Sequence, residues 1–453
     1  PRTVFILSGL VLAGCVSIER LCATSWLPVV EPQRGRACQF RDLYQQTRND
    51  HTGPLASSLT GVTRAWSGRV YYPVSRRIPV VRKPQISMAD YRARTDEARL
   101  QKRNVLIVVV ESLRADQLVA CGGPREVMPA VDAVARESLV FRRHYSQATT
   151  SADADVTALG SQYPLRAPRS QCFPKNIPYP RVLIYDVLKA FGYRTAIFSS
   201  QDERWGGMVH YLDTGNVDHF LHSPTFNGPT YVPDDIGFAD WNRDNAGAGK
   251  IDDCHTVGEA IQWIGQRRET PFFIYMNLQT SHTPYKIPDD FPHRFGPKDP
   301  GFTFHFADYP RDKASVVKDL YADSLAYVDH QLGRLFDALR RNGQWDNTIL
   351  VITGDTGQGF YEHGFGAHAG PIYDEMTHVP LIIHAPGLSP GVYEDLSEHV
   401  DVPPTVCALI GLPLHPGFQG RNLLAYYPYE PTVYLVNSVG AADQWGLVQG
   451  NYK

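Results

Sequence analysis

The chain has 453 residues, enough for one large α/β domain or two smaller ones with an ample core. A formal charge of -3 gives no electrostatic case for nucleic acid as a partner. Seven cysteines, at 15, 22, 38, 121, 172, 254 and 407, form no CxxC pair and no zinc-finger spacing, so they leave the redox compartment open.

Residues 3–18, TVFILSGLVLAGCVSI, form one apolar run after Arg2. The run is shorter than the ~20 residues of a comfortable membrane span and fits the h-region of a signal peptide. Leu12-Ala13-Gly14-Cys15 at its end resembles the lipobox of bacterial lipoproteins, whose cysteine is acylated. The tail of a transmembrane helix fits as well. Either reading makes residues 1–20 a signal or membrane anchor and puts the remainder outside the cytoplasm, in the periplasm or at the cell surface. Residues 21–100 lack periodicity and are rich in Pro, Arg and Ser, which reads as a stalk or linker. A start at Pro1 and a stop at Asn451-Tyr452-Lys453 read as a fragment trimmed at both ends.

From Asn104 the pattern changes. Val105–Val110 is a run of six apolar β-formers, predicting a strand covered on both faces, and it ends in Glu111-Ser112. A helix is predicted over Pro129–Glu137, with proline in its first turn, and a strand over Leu139–Phe141. Asp153–Leu159 reads as a helix with acids at its start, just after Thr149-Thr150-Ser151. Further helices are predicted at Val182–Phe191, Asp253–Arg268 and Val316–Arg340, and further strands at Thr195–Phe198, Phe272–Met276, Ile349–Ile352 and Leu381–Ile383. This alternation argues an α/β fold, a mostly parallel central sheet flanked by helices.

The chain is organised around TILVITGDTGQGFYEHGFGAH, residues 348–368. Its strand stops at Asp355, and Glu362, His363 and His368 follow within fourteen residues. Glycines at 354, 357 and 359 are expected to let the backbone approach a bound group. Glu111, His282 and Asp355 each sit just past a predicted strand, so separate segments converge on one sheet edge, where open α/β sheets gather reactive groups. Carboxylates beside hydroxyl and imidazole groups suit a divalent cation such as Ca²⁺, Mn²⁺ or Zn²⁺. Such an ion lowers the pKa of a bound hydroxyl and neutralises an anionic ester. A serine at a helix start adds N–H groups that favour phosphate or sulfate oxygens.

Four segments, NVLIVVVESLRAD, SHTPY, YVDHQLGRLFDALRRNGQWDNTILVITGD and YDEMTHVPLIIHAPG, resemble in order and spacing the sulfatase family of the alkaline-phosphatase superfamily. The resemblance spans roughly residues 100–415 and implies a catalytic domain over 101–415, with 416–453 opening a small C-terminal subdomain. It implies metal ligands at Glu111, Asp355, Thr356 and Ser151, and substrate-binding histidines at His282 and His368. Glu111-Ser112, where many sulfatases have Asp-Asp, is similar to lipoteichoic-acid synthases and phosphoethanolamine transferases. The family's nucleophile lies twelve residues before a Tyr; counting from Tyr163 gives Ser151, with Thr150 the adjacent alternative.

Two departures bear on chemistry. Ser151-Ala152-Asp153-Ala154-Asp155 lacks the Pro/Ala and the Arg of the formylglycine motif, which favours an unmodified hydroxyl. Thr356 stands where the family has His or Asn, a poor exchange for imidazole on zinc. The resemblance therefore implies an extracytoplasmic, metal-dependent hydrolase or transferase acting on sulfate or phosphate esters of a lipid or envelope glycan. The alternative is a catalytically impaired relative of the same fold that binds lipid or a protein partner.

Overall fold

Asn104 and the six apolar residues that follow it form the central strand β1 (Asn104–Val110), every residue of which is buried. Because side chains alternate across a strand, Leu106, Val108 and Val110 join the hydrophobic cluster on one face of the sheet. Val105, Ile107 and Val109 join the cluster on the other. A strand buried on both faces cannot show polar alternation, which is why the run reads as uniformly apolar. The computed structural model describes residues 86–164, 173–177, 179–231, 249–266, 269–303, 306, 309–437 and 444–453. These all belong to one unit, Val80–Ser438 with Gln444–Lys453. The apolar run at 3–18, with Cys15, lies outside the described residues, as does the linker segment up to residue 85.

In chain order the helices used below are α1 (Met88–Ala93), α2 (Pro129–Ala135), α3 (Ser151–Gly160), α4 (Ile184–Ala190), α5 (Asp253–Gly265), α6 (Ala314–Arg341) and α7 (Val402–Ile410). After β1 the strands of the main sheet are β2 (Leu139–Phe141), β3 (Arg194–Ser199), β4 (His219–Leu221), β5 (Phe272–Leu278), β6 (Thr348–Gly354), β7 (Leu381–His384) and β8 (Gly391–Tyr393). Their order is β8-β2-β7-β6-β1-β5-β3-β4. The pairs β6-β1, β1-β5, β5-β3, β3-β4 and β8-β2 are parallel, and β7 alone runs against its neighbours. This is the α/β architecture with a mostly parallel sheet that the strand–helix alternation predicts.

Helices α2, α5 and α6 cover one face; α3, α4 and α7 cover the other. In α6 the predicted apolar stripe, from Val317 through Leu325 and Leu332 to Leu339, is buried along its length. Gly343 follows its end with φ of 67°. Residues 86–100, at the close of the segment read as a stalk, contain α1, whose Tyr91 is buried against Phe191 and His415. In the main sheet and the helices that cover it, β4 and β8, each three residues long, gave no periodic signal, nor did α7, whose Val402-Pro403-Pro404 start reads as a breaker yet occupies a first turn. An antiparallel pair, β9 (Thr432–Asn437) and β10 (Gln444–Gln449), follows α7, with Val436 bridged to Ala148 just before α3. Among the described residues no helix is long and apolar enough to cross a membrane.

Candidate functional site

Strand register builds the floor of the site. Val110 is aligned with Gly354 on one side and Leu278 on the other. The residues that follow, Glu111, Asp355 and Gln279, therefore leave the sheet side by side, and all three are buried. Ser112 adopts a left-handed backbone with φ of 57°, a conformation that costs of order 1 kcal/mol outside glycine. It is held there by its amide donating to Asp355 Oδ1 at 2.7 Å and its hydroxyl donating to Glu111 Oε1 at 3.0 Å. The Gln279 amide donates to Glu111 Oε2 at 2.9 Å. Asp253, first residue of α5, accepts from the amides of Gln279 and Thr280 at 3.0 Å each, fixing the segment that leads to His282.

The glycines of the central stretch have a different role from the one expected. A Cβ on Gly354 would stand 2.5 Å from the Leu113 carbonyl oxygen, and one on Gly357 2.1 Å from that of Glu375. They admit the protein's own backbone rather than a bound group.

Ser151 is the first residue of α3, and its hydroxyl points to Glu111 Oε2 at 3.4 Å, with Asp355 also beside it. Thr150, the residue before the helix, turns its hydroxyl to Asp153 instead, at 3.3 Å. Thr356 is buried, and its hydroxyl donates to the Gly357 carbonyl at 3.1 Å. His363 stacks on Tyr373 at 3.8 Å and meets Glu375 at 2.7 Å, while Glu362 pairs with Arg114. Of the acids and histidines in that loop, Asp355 and His368 reach the floor.

His368 Nε2 lies 3.8 Å from Glu111 Oε1, and its Nδ1 is 3.1 Å from both Ser112 Oγ and Gln358 Oε1. His282 meets the His368 ring edge-on at 5.1 Å and directs Nδ1 to the Thr283 carbonyl at 2.7 Å. Glu111, His282 and His368 each offer a ligand atom within 4.8 Å of the others. Lys250, also buried, donates from Nζ to Gln279 Oε1 at 2.8 Å.

Electrostatics follow from burial. Burial alone raises the Glu111 carboxyl; His368, His282, the Lys250 ammonium and the Gln279 hydrogen bond outweigh it and bring it to about 2. Burial, then the Glu111 charge, pushes Asp355 well above the usual carboxylate range. Asp155, one turn along α3, is raised by burial and then by Asp355, Glu203 and Glu111. Burial and then Lys250 bring His282 down to about 3, and burial lowers His368 as well.

This donor set fits a divalent cation. Asp355 Oδ2 and Asp155 Oδ1 are buried without hydrogen-bond partners among the described residues, and clustered buried carboxylates need positive charge. Glu111 and Asp355 fit as ligands; the Thr356 hydroxyl, directed at its own backbone, does not face them. Sequence reasoning missed Lys250, Gln279, Ser112 and Gln358. Gln279 carried one usable signal, its place directly after a buried strand, whereas Lys250 sits in a two-residue strand with none.

Comparison with known proteins bears on what such a site does. The Sulfatase family model matches residues 103–412. The multifunctional alkaline phosphatase superfamily protein PehA of Trinickia caryophylli is 23% identical over 404 residues, covering 72% of this chain and 77% of that protein. Lipoteichoic acid synthase 2 of Bacillus subtilis is 23% identical over 328 residues, covering 69% of this chain, so the chain spans 46% of that relative's length. The crystal structure of the lipoteichoic acid synthase LtaP from Listeria monocytogenes superposes with a TM-score of 0.58 at 17% identity, covering 77% of this chain and 83% of that one.

Proposed function

The chain belongs to the sulfatase family of the alkaline-phosphatase superfamily, and from that premise we propose an extracytoplasmic, metal-dependent ester hydrolase or transferase with Ser151 as nucleophile. The reading is carried by one observation: Ser151 at the N-terminus of a ten-residue helix, its hydroxyl directed at Glu111 beside Asp355.

In this reading Glu111 and Asp355 hold the cation at the sheet edge. When bound, the ion lowers the pKa of the Ser151 hydroxyl and offsets substrate charge. The first-turn amides of α3 face the anion, and the Lys250 ammonium adds a fixed positive charge. Ser151 Oγ forms the bond to phosphorus or sulfur as the ester oxygen leaves with its electron pair. Water or an acceptor alcohol then displaces the serine ester. With Asp155 in place of the motif arginine, the serine acts as a hydroxyl.

Phospho-group chemistry on a lipid or envelope glycan is the favoured branch. Glu111-Ser112 supports it, as does similarity to proteins named lipoteichoic acid synthases. The test is turnover of aryl phosphate mono- and diesters and aryl sulfates with Mn²⁺, Zn²⁺ or Ca²⁺, beside the Ser151→Ala variant. Diester cleavage lost in the variant is expected; sulfate cleavage alone would move the assignment to a sulfatase. A folded protein that turns over none of them and binds no cation would overturn the reading.

A further inference from the structure

A set of buried bonds outside the floor holds the His368 ring. The Ala369 amide donates to the Thr149 carbonyl at 2.6 Å, which ties the end of the loop over residues 355–368 to the segment leading into α3. The imidazole is held separately, with Nδ1 3.1 Å from both Ser112 Oγ and Gln358 Oε1. Gln358 is buried, and among the described residues its side chain makes this one hydrogen bond, leaving Nε2 without a partner. An unmet buried donor costs stability, so an apolar side chain of similar size would serve the fold better there. The ring it meets, rather than packing, accounts for the glutamine.

Arg114 fixes the backbone from which that side chain extends. Its Nη1 donates to the Gln358 carbonyl at 3.0 Å and to Glu362 Oε1 at 2.6 Å. Its Nε and Nη2 hold the Asp116 carboxylate at 3.0 and 2.6 Å. The rigid guanidinium fork can serve all of these acceptors at once, which a single ammonium could not. Arg114 is itself placed by α6: the Tyr321 hydroxyl accepts from the Arg114 amide at 3.2 Å and donates to the Ser112 carbonyl at 2.7 Å. Ser112 and Gln358, the two residues at His368 Nδ1, are therefore both referred to the exit of β1 as locked to that helix. We propose that Gln358 and Arg114 are positioning residues for His368: the Gln358 amide sets the imidazole, and Arg114 sets Gln358. This rests on the hydrolase or transferase reading above and adds that the ester meets the His368 edge facing the floor, where Nε2 is 3.8 Å from Glu111 Oε1. A ring displaced there costs rate without loss of the fold.

The test is a double-mutant cycle on the full chain, read as aryl phosphate diester turnover with the cation that supports wild type. His368→Gln should lower kcat at least about a hundredfold and Gln358→Leu at least about tenfold, with KM changing less than kcat. Added to His368→Gln, Gln358→Leu should cost less than about threefold more, because the ring it positions is already gone. Arg114→Met should reproduce the Gln358→Leu loss and add little to it. Thermal unfolding checks each variant, and Gln358→Leu, which removes no charge, carries the test if Arg114→Met does not fold. Heavy-nitrogen labelling of the histidines gives a second readout: the His368 ring resonances, identified by their loss in His368→Gln, should move in Gln358→Leu. Losses that multiply in the double variant, a Gln358→Leu rate within about threefold of wild type, or unmoved ring resonances overturn the positioning role and leave the enzyme standing. Wild type that turns over no phosphate or sulfate ester overturns the enzymatic reading together with it.

Discussion

The Ser112 amide donates to Asp355 Oδ1 at 2.7 Å, tying together the ends of two adjacent parallel strands. This bond uses one carboxylate oxygen and leaves Oδ2 buried without a partner among the described residues. Asp355→Asn keeps an acceptor for Ser112 while removing the charge. We expect it to preserve the fold and to weaken divalent-cation binding at least about tenfold, with activity falling in parallel. Calorimetric titration beside thermal unfolding checks this. Unchanged cation affinity would remove Asp355 from the metal site.

Ser151 and Thr150 are adjacent hydroxyls that point differently. Ser151 faces Glu111 Oε2 at 3.4 Å, and Thr150 faces Asp153. Ser151→Ala should lower kcat at least about a thousandfold, the scale of losing a nucleophile. Thr150→Ala should stay within about tenfold of wild type. The reverse pattern in single-turnover kinetics would exchange the two assignments.

Glu203 lies beneath the same floor. Its Oε1 accepts from Ser199 and from Asn277 at 3.4 Å, and Oε2 has no partner among the described residues. Burial raises its carboxyl from the ordinary 4.5 to about 7. The native state therefore binds more protons than the unfolded chain between these values. Stability from this group is full below about pH 4.5 and is lost as pH rises through about 7. Glu203→Gln should match wild type near the acid end and exceed it at pH 8 by on the order of 2–4 kcal/mol. Subtracting the two stability–pH curves from denaturant unfolding cancels the other titrating groups; a flat difference would show that Glu203 titrates alike in the folded and unfolded chain.

The strand ends were legible because β1, β5 and β6 are buried on both faces, so each reads as an apolar run that gives way to polar residues at or just before the strand's end. That placed Glu111 and Asp355 at one edge before any register was known. Which hydroxyl faces them was not legible, since Thr150 and Ser151 differ only in lying before or inside the first turn of α3. Nor could proximity in sequence separate His368 from His363. Stacking on Tyr373 and pairing with Glu375 turn His363 away, and both partners lie in a later segment. Lys250 and Gln279 meet only because β5 brings Gln279 to the end of the Lys250 strand, a contact made by topology and invisible to periodicity.

Lys250 provides the sharpest division between charge balance and substrate contact. Its Nζ donates to Gln279 Oε1 at 2.8 Å, and its charge acts on Glu111, His282 and His368. Lys250→Met keeps the length of the side chain and its buried stem while removing the charge. If the ammonium meets the ester anion, kcat/KM should fall about a hundredfold, the scale of one electrostatic donor, with cation affinity unchanged or stronger. Affinity does not fall in that case because the lost charge repelled the metal. If the ammonium only offsets Glu111, the cation binds more tightly and kcat/KM is unaltered once the metal is saturating. Metal titration and steady-state kinetics on one preparation separate the two outcomes, and we expect the first, because a bound cation already neutralises Glu111 and leaves the Lys250 charge for the substrate.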